Sequence, residues 1–555
     1  MGNSRILKVA IAFLLGVIAL GTAALYQSSN PITRDIVASA EKLFGLTFTD
    51  AKRDSMLDGL NDQLKNYQNL RAVDLANNVP PAILFNPIPV GFKFEMERKP
   101  FIQSPVGRVE LPNDPEEMAF YSIGRLAELI RTKKISSEQL TKMYLSRLKK
   151  YGPKLECVIT LTEEHALQQA RRADEEIASG KYRGLLHGIP YGAKDLLAAK
   201  GYRTTWGSVP YKEQVIDEDA TVIKRLEDAG AVLCAKLTMG ELAWGDVWFG
   251  GTTKNPWNVK QGSSGSSAGS ASATSAGLVA FAIGTETWGS IVSPSTRCGT
   301  TGLRPTYGRV SRTGAMALSW SMDKIGPICR TVEDCAIVFN AIYGPDGRDQ
   351  TLYDVPLNYN PAVTLSALRI GYIKSAFDSV KENRANNDSV FAVLKALGAK
   401  LIPIELPKYP MNDLSIILSA EAAAAFDNLT RSGKDDLMVR QIKNAWPNVF
   451  RTSRFIPAVE YIQANRIRYQ LIQDMQKLMD TIDVYIAPPF EGDNLLLTNL
   501  TGHPCVVLPN GFSKEGTPTS ITFIGKLFGE AGLLAVAKKY QDATSHHLRH
   551  PKLQF

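Results

Sequence analysis

Glycine and serine are concentrated between residues 261 and 314, where they adjoin a run of small apolar residues. The first part reads Gln-Gly-Ser-Ser-Gly-Ser-Ser-Ala-Gly-Ser and contains Ser266, and a later part reads Gly-Thr-Glu-Thr-Trp-Gly-Ser and ends at Ser290. A flexible linker would not run directly into residues 273–283, which are typical of a buried helix and strand. Glycine-rich backbone beside a core element lets main-chain amides approach a ligand closely. We therefore expect this segment to bind a ligand.

Lys194 stands near the end of the stretch Gly-Ile-Pro-Tyr-Gly-Ala-Lys-Asp, which covers residues 188–195. Because small and apolar residues precede it, we expect Lys194 to be buried. A solvated lysine has a pKa of about 10.4 and is charged at neutral pH. Burial disfavours the charged form and can lower that pKa by several units. A buried amine of this kind could accept a proton.

Both segments resemble the amidase signature family, and the resemblance covers about residues 121–551, more weakly over 345–450. Further matching motifs are Thr-Thr-Trp-Gly-Ser at 204–208, Gly-Leu-Arg-Pro-Thr from 302, and Gly-His-Pro-Cys-Val-Val-Leu-Pro-Asn-Gly from 502. Residues 32–70 resemble, more weakly, the small helical protein that partners the catalytic chain of tRNA-dependent amidotransferases, here fused to the enzyme.

The resemblance implies a role for each matching residue. Lys194 is expected to be the base, Ser266 the bridging serine on a cis peptide bond, and Ser290 the nucleophile; the adjacent Ser267 is the alternative bridging serine. The implied oxyanion hole consists of the backbone amides of Thr287, Trp288, Gly289 and Ser290. The implied substrate-binding residues are Gly265 and Trp288.

This set of residues is chemically coherent for cleaving an amide. A serine hydroxyl is a poor nucleophile until a base removes its proton. Ser266 could accept a proton from Ser290 while donating its own to neutral Lys194, and the reverse transfer would protonate the leaving amine. Fixed donors would stabilise the tetrahedral oxyanion, each contributing about 3–4 kcal/mol. Water would then hydrolyse an acyl-enzyme.

Three positions depart from the family pattern. Many relatives have glycine where Trp288 stands, Asp where Glu286 stands, and Arg where Val292 stands. The indole of Trp288 is expected to form one wall of the pocket that binds the acyl group of the substrate. The missing arginine at position 292 argues against the way in which glutamine-dependent amidotransferases recognise their substrate.

Two other functions stay open. The run Gly-Ser-Ser-Ala-Gly at 265–269 formally matches the nucleophile elbow of α/β-hydrolase esterases, although its polar, proline-broken upstream sequence is unlike the strand that an elbow follows. The chain could also be an amidotransferase-like subunit that works in a complex.

The resemblance implies an α/β fold, in which a large twisted mixed β-sheet is flanked by helices on both sides and preceded by a small helical extension. Periodicity divides the chain into an N-terminal helical segment at 31–78, a proline-rich extended linker at 79–117, and the catalytic domain at 118–555. Residues 345–480 are expected to form a variable substrate entrance. Ser136 and Gln139 predict a capping box, and residues 231–235 a buried strand.

Residues 1–30 are expected to be a signal peptide or a membrane anchor. Arg5 and Lys8 precede the uncharged apolar run 9–26, which is typical of an export signal or an anchor. The catalytic domain is therefore expected to be extracytoplasmic, either secreted, periplasmic or anchored to the membrane by this segment.

The composition excludes some partners. The net charge of +8 comes from scattered basic residues, which predicts no nucleic-acid partner. The six cysteines form no Cys-x-x-Cys pair, and none stands near a histidine at the spacing of zinc ligands, so neither a metal nor another cofactor is expected. The expected partners are a small-molecule or peptide amide substrate, the membrane if the N-terminal segment stays uncleaved, and a second copy in a possible homodimer.

Overall fold

The computed structural model describes residues 31–553, which divide into two compact units at Val79 and Pro80. The first unit contains helices α1 (Arg34–Phe44) and α2 (Asp50–Arg71). They are joined by Arg53, whose guanidinium donates to the buried carboxylate of Glu41 at 3.0 and 2.7 Å. The helical extension predicted before the catalytic domain is therefore present as a hairpin.

The second unit is built on a mixed sheet. Its strands are β1 (Val158–Leu161), β2 (Pro190–Lys194), β3 (Val232–Leu237), β8 (Phe281–Glu286), β9 (Thr301–Arg304), β10 (Lys324–Cys329), β11 (Arg369–Ile373), β12 (Lys400–Ile404), β13 (Val484–Ala487), β14 (Cys505–Phe512) and β15 (Pro518–Gly525). Two small hairpins account for β4 (Val247–Trp248) with β5 (Gly251–Thr252), and β6 (Lys254–Asn255) with β7 (Asn258–Gly262). The large sheet has the order β1-β3-β2-β8-β10-β9-β14-β15-β13-β11-β12.

Helices connect and cover the strands. In chain order they are α3 (Ile123–Arg131), α4 (Ser137–Leu155), α5 (Glu163–Ala178), α6 (Thr221–Asp228), α7 (Ala268–Ser275), α8 (Val292–Cys298), α9 (Val332–Ile342), α10 (Lys374–Ser379), α11 (Arg384–Ala396), α12 (Ile416–Ala425), α13 (Asp427–Arg431), α14 (Trp446–Ser453), α15 (Ala458–Thr481), α16 (Asn494–Thr501) and α17 (Glu530–Asp542).

Two hydrophobic clusters lie on opposite faces of the sheet. Along β3, Val232 and Cys234 belong to one cluster, whereas Leu233 belongs to the other. Consecutive strand residues point to opposite faces, so both faces of the sheet are buried. Strands β3, β2 and β8 run parallel, and β8 pairs antiparallel with β10. The predicted α/β architecture with a mixed sheet between helices is confirmed.

Several local predictions are confirmed as well. The side chains of Ser136 and Gln139 form a reciprocal capping box at the start of α4. The buried strand expected at 231–235 is β3, and the small-residue segment expected at 273–283 spans the end of α7 and the start of β8. Residues 80–114 form neither a helix nor a strand. The predicted division into a helical segment, a linker at 79–117 and a catalytic domain stays a prediction.

The N-terminal signal or anchor lies outside the described residues. Between residues 31 and 553, the structure contains no helix that is long and apolar enough to cross a bilayer. The substrate entrance predicted at 345–480 stays a prediction. Within that range Phe426, Trp446 and Phe450 are buried and stack on one another, with ring centroids 5.4 and 5.1 Å apart, so these aromatic residues belong to the core.

Candidate active site

Lys194 is fully buried at the carboxyl end of β2, between β3 and β8. Its Nζ atom lies 2.8 Å from Ser266 Oγ, 3.2 Å from Ser267 Oγ and 2.8 Å from Thr285 Oγ1. The structure therefore brings together Lys194 and Ser266, which are 72 residues apart in the sequence.

Burial lowers the pKa of Lys194 to about 7, although the negative charges of Asp323 and Glu286 partly oppose the shift. The adjacent carboxylate, that of Asp195, forms an ion pair with Lys236 at 2.8 Å instead. The described partners of Lys194 are thus three hydroxyl groups. An amine in this setting is a mixture of charged and neutral forms near pH 7 and can accept a proton.

The two adjacent serines differ in their surroundings. Ser267 Oγ donates to the carbonyl of Thr285 at 3.0 Å and accepts from the amide of Thr285 at 3.1 Å. These bonds tie Ser267 to β8, whereas the hydroxyl of Ser266 faces Lys194. The peptide bond between Gly265 and Ser266 is cis. Of the two, Ser266 has the hydroxyl that is free to exchange protons with the lysine.

Ser290 ends the short loop that follows β8 and is only 8% exposed. Its carbonyl accepts the amide of Ser267 at 3.1 Å, which holds the two serine segments side by side. Gly289 has a φ of 86°, a conformation that side-chain-bearing residues rarely adopt. Trp288 is 41% exposed, so its indole faces outwards beside the loop. We call residues 287–290 the nucleophile loop.

Glu286 directly precedes the nucleophile loop, and its side chain binds the backbone that follows the loop. Its buried carboxylate accepts the amides of Ile291 and Val292 at 2.8 and 2.9 Å, Arg304 Nη1 at 2.7 Å and Asn499 Nδ2 at 2.8 Å. Burial alone would raise the pKa of Glu286, but the charge of Arg304 and these hydrogen bonds outweigh it and lower the pKa to about 2. The carboxylate therefore stays ionised and ties the residue before the nucleophile loop to the backbone that follows Ser290.

Asp323 holds the nucleophile loop from a second direction. Its carboxylate accepts the hydroxyl of Thr287 at 2.6 Å and the amides of Leu318 and Ser319 at 2.8 and 3.0 Å. Burial raises the pKa of Asp323. We call residues 318–323 the support loop, because it carries the side chain that anchors Thr287.

Gly265 lies against the backbone of the segment before β4. A Cβ atom at this position would lie 1.8 Å from the carbonyl oxygen of Gly245. The packing by itself is therefore sufficient reason for a glycine here. Its predicted contact with substrate, like that of Trp288, stays a prediction.

The α/β-hydrolase alternative has no support in the geometry. Strand β7 precedes the serine segment, but it pairs with β6 outside the large sheet. Ser267, the serine that an elbow would present, is buried and bonded to the backbone of Thr285. An elbow serine must instead be exposed at the end of a central strand.

Sequence reasoning did not identify four residues that bear on the site, namely Thr285, Arg304, Asp323 and Asn499. Thr285 precedes Glu286 within a recognised motif, but its contact with Lys194 depends on β8 lying next to β2. Arg304 belongs to the recognised motif that begins at residue 302, and no sequence signal connects it with Glu286. Asp323 and Asn499 lie in no motif that points to the site.

The Amidase family profile matches residues 139–534. The chain belongs to the amidase signature family. This amidase is 35% identical over 481 residues to the A subunit of the glutamyl-tRNA(Gln) amidotransferase of Marinomonas sp. (strain MWYL1), a match that covers 78% of the chain and 98% of that relative. It is 36% identical over 478 residues to the corresponding protein of Methylococcus capsulatus, again with 78% and 98% covered.

A solved structure of similar fold is the native peptide amidase of Stenotrophomonas maltophilia. It matches with a TM-score of 0.71 and 28% identity, over 80% of this chain and 100% of that one. The fold of this amidase and its assignment as an enzyme that acts on amide carbon–nitrogen bonds are thereby confirmed.

The relatives also correct one prediction. Glutamyl-tRNA, for which the amidotransferase relatives are named, is a cytoplasmic molecule. The expectation that this amidase is extracytoplasmic, secreted or membrane-anchored was wrong. The apolar run at 9–26 had suggested it, because such a run after basic residues is typical of an export signal.

Proposed function

We propose that this enzyme cleaves an amide carbon–nitrogen bond through an acyl-enzyme on Ser290, with Lys194 as base and Ser266 as proton bridge. The observation that carries the proposal is the fully buried Lys194 amine, 2.8 Å from Ser266 Oγ, with a pKa of about 7. Near neutral pH, that amine can take up a proton that a solvated lysine could not accept.

The proposed reaction has two halves. Ser290 Oγ attacks the carbonyl carbon while its proton passes to Ser266, and the proton of Ser266 passes to Lys194 Nζ. The backbone amides of residues 287–290 stabilise the oxyanion. The carbon–nitrogen bond then breaks, and the leaving nitrogen takes a proton back from Lys194 through Ser266. Water attacks the ester by the same relay and frees Ser290.

The acyl group is proposed to lie beside Trp288. Its indole is the large, partly exposed side chain next to the candidate nucleophile. An aromatic wall of this kind favours an apolar or aromatic acyl group over a small polar one. Candidate substrates are therefore small, peptide or fatty-acyl amides with an apolar acyl side.

A second candidate is an amidotransferase-like subunit that works in a complex. The chain is 35 and 36% identical to the amidotransferase relatives over 98% of their length, but 28% identical to the peptide amidase. The higher identity favours the amidotransferase-like subunit. In that case the chain would release ammonia from an amide for transfer to another acceptor. Val292 argues against glutamine as the amide substrate. Its buried apolar side chain occupies the position where many relatives have arginine.

The purified full chain should be assayed for ammonia or amine release from acyl amides, peptide C-terminal amides and glutamine. Turnover by the chain alone that is lost in Ser290→Ala supports the hydrolase. The matched control is Ser375→Ala, since Ser375 hydrogen-bonds to the surface residue Glu405. If glutamine alone is consumed, and only with added partner proteins, the second candidate is correct.

Labelling with a fluorophosphonate tests the nucleophile independently of the substrate. Peptide mapping should find the label on Ser290. A label on Ser267 would support the esterase alternative, and a label on neither would contradict a serine nucleophile.

A further inference from the structure

A cavity of about 1050 Å³ lies away from the candidate catalytic residues, none of which lines it. It is bounded by the extended segment 80–86 and by helices α12 and α15. Its apolar walls are formed by Ile83, Leu84, Phe85, Ala420, Ala424 and Ile462. A cavity of this size lies at the upper end of the range that holds small molecules.

The mouth of the cavity exposes apolar side chains to solvent. Ile83 is 89% exposed, Ile462 58% and Tyr469 54%. Apolar side chains clustered around a concave surface indicate a binding site, whereas single exposed apolar residues do not. The cavity is therefore suited to a ligand with an apolar body.

The support loop forms the floor of the cavity through Trp320 and Ser321. Glu421 holds this loop, because its carboxylate accepts Ser319 Oγ at 2.6 Å, Ser321 Oγ at 2.7 Å, the amide of Ser321 at 3.0 Å and Tyr461 Oη at 3.0 Å. Four donors saturate both of its oxygens. The floor of the cavity is thus the same loop whose Asp323 anchors Thr287 in the nucleophile loop.

The charged residues that line the cavity indicate which kind of ligand it binds. Among the described residues that line the cavity, Glu421 is the one carboxylate, and its hydrogen-bonding capacity is used up. Arg312 pairs with Asp349, but the exposed Arg466 at the rim donates to the neutral amide of Gln463 at 2.9 Å. A guanidinium with an uncharged partner is available to bind an anion.

We propose that this cavity binds an elongated apolar molecule that ends in a carboxylate. The apolar body lies against segment 80–86 and helices α12 and α15, and the carboxylate pairs with Arg466. The site is separate from the acyl pocket beside Trp288, and its floor is the support loop, which anchors Thr287 in the nucleophile loop.

Calorimetric titration of the full chain with dodecanoate, below its micelle concentration, tests the proposal without requiring turnover. One molecule is expected to bind per chain. Dodecanol, which has the same chain and no charge, should bind about tenfold more weakly, because it has no carboxylate to pair with Arg466; tenfold corresponds to about 1.4 kcal/mol.

Three variants locate the bound molecule. Arg466→Gln should weaken dodecanoate binding about tenfold and leave dodecanol binding unchanged. Ala424→Phe, at an exposed helix position, should fill the cavity and weaken both ligands. Arg384→Gln is the matched control on α11 and should change neither affinity. The proposal is overturned if wild type shows no saturable binding, or if Arg466→Gln or Ala424→Phe binds dodecanoate as tightly as wild type does.

Discussion

The Nζ atom of Lys194 lies as close to the hydroxyl of Thr285 as to that of Ser266, at 2.8 Å in both cases. The threonine holds the amine at the carboxyl ends of β2 and β8 and keeps it pointed at the bridging serine. Thr285 is thus a positioning residue in the proposed mechanism, since it acts through Lys194.

Valine has a shape similar to that of threonine but lacks the hydroxyl, so Thr285→Val removes a fixed hydrogen-bond partner of Lys194. The variant should lower kcat about tenfold and change KM little. Thr285→Ser, which keeps the hydroxyl, should restore most of the rate. Steady-state kinetics at pH 8 measures both. Equal rates for the valine variant and wild type would show that Thr285 does not position the amine.

The rate should depend on the protonation state of Lys194. Because its pKa is lowered to about 7 and the neutral amine is the proposed base, kcat/KM should rise about tenfold per pH unit below 7 and level off above it. A pH–rate profile between pH 5 and 10 measures this. A midpoint near 10, as for a solvated lysine, would contradict the buried neutral base.

Glu286→Gln should lower the free energy of unfolding by about 3 kcal/mol, because it leaves the buried Arg304 without its counter-charge. Denaturant unfolding measures the change. The pKa of Glu286 is about 2 in the fold against 4.5 ordinarily, so its contribution to stability is complete above pH 4.5 and is lost as the pH falls through 2. The variant should therefore differ from wild type less at pH 2 than at pH 7.

Gly265→Ala should destabilise the protein by about 1–3 kcal/mol and reduce activity, because the added methyl group would overlap the carbonyl of Gly245. Gly532→Ala is the matched control, since a Cβ at that helical position meets no atom within 4 Å. It should be neutral or stabilise by up to about 1 kcal/mol. Thermal unfolding with residual activity compares the two, and similar behaviour would contradict the tight packing at residue 265.

The site residues that lie within motifs could be predicted from the sequence. Lys194 and Ser266 were predicted from their segments, and their hydrogen bond joins two such segments. The capping box of α4 and the buried strand β3 were also predictable, because each depends on residues that are neighbours in the chain.

The remaining features depend on the order of strands in the sheet. Thr285 reaches Lys194 only because β8 lies beside β2, and Glu286 meets Asn499 across 213 residues of sequence. Periodicity reveals a strand but not its neighbours, so these contacts could not be predicted. The location of the protein was predicted from two basic residues followed by an apolar run, and that pattern was not sufficient.

The central claim is that the buried amine of Lys194 removes the proton from the serine pair. Lys194→Met keeps the length and apolar stem of the side chain and removes the amine. Its turnover of the best amide should be measured at pH 8, after circular dichroism has shown a native fold. We expect a loss of at least about a thousandfold, as for other enzymes that lose a member of the catalytic set. Turnover within a few fold of wild type in the folded variant would contradict the mechanism.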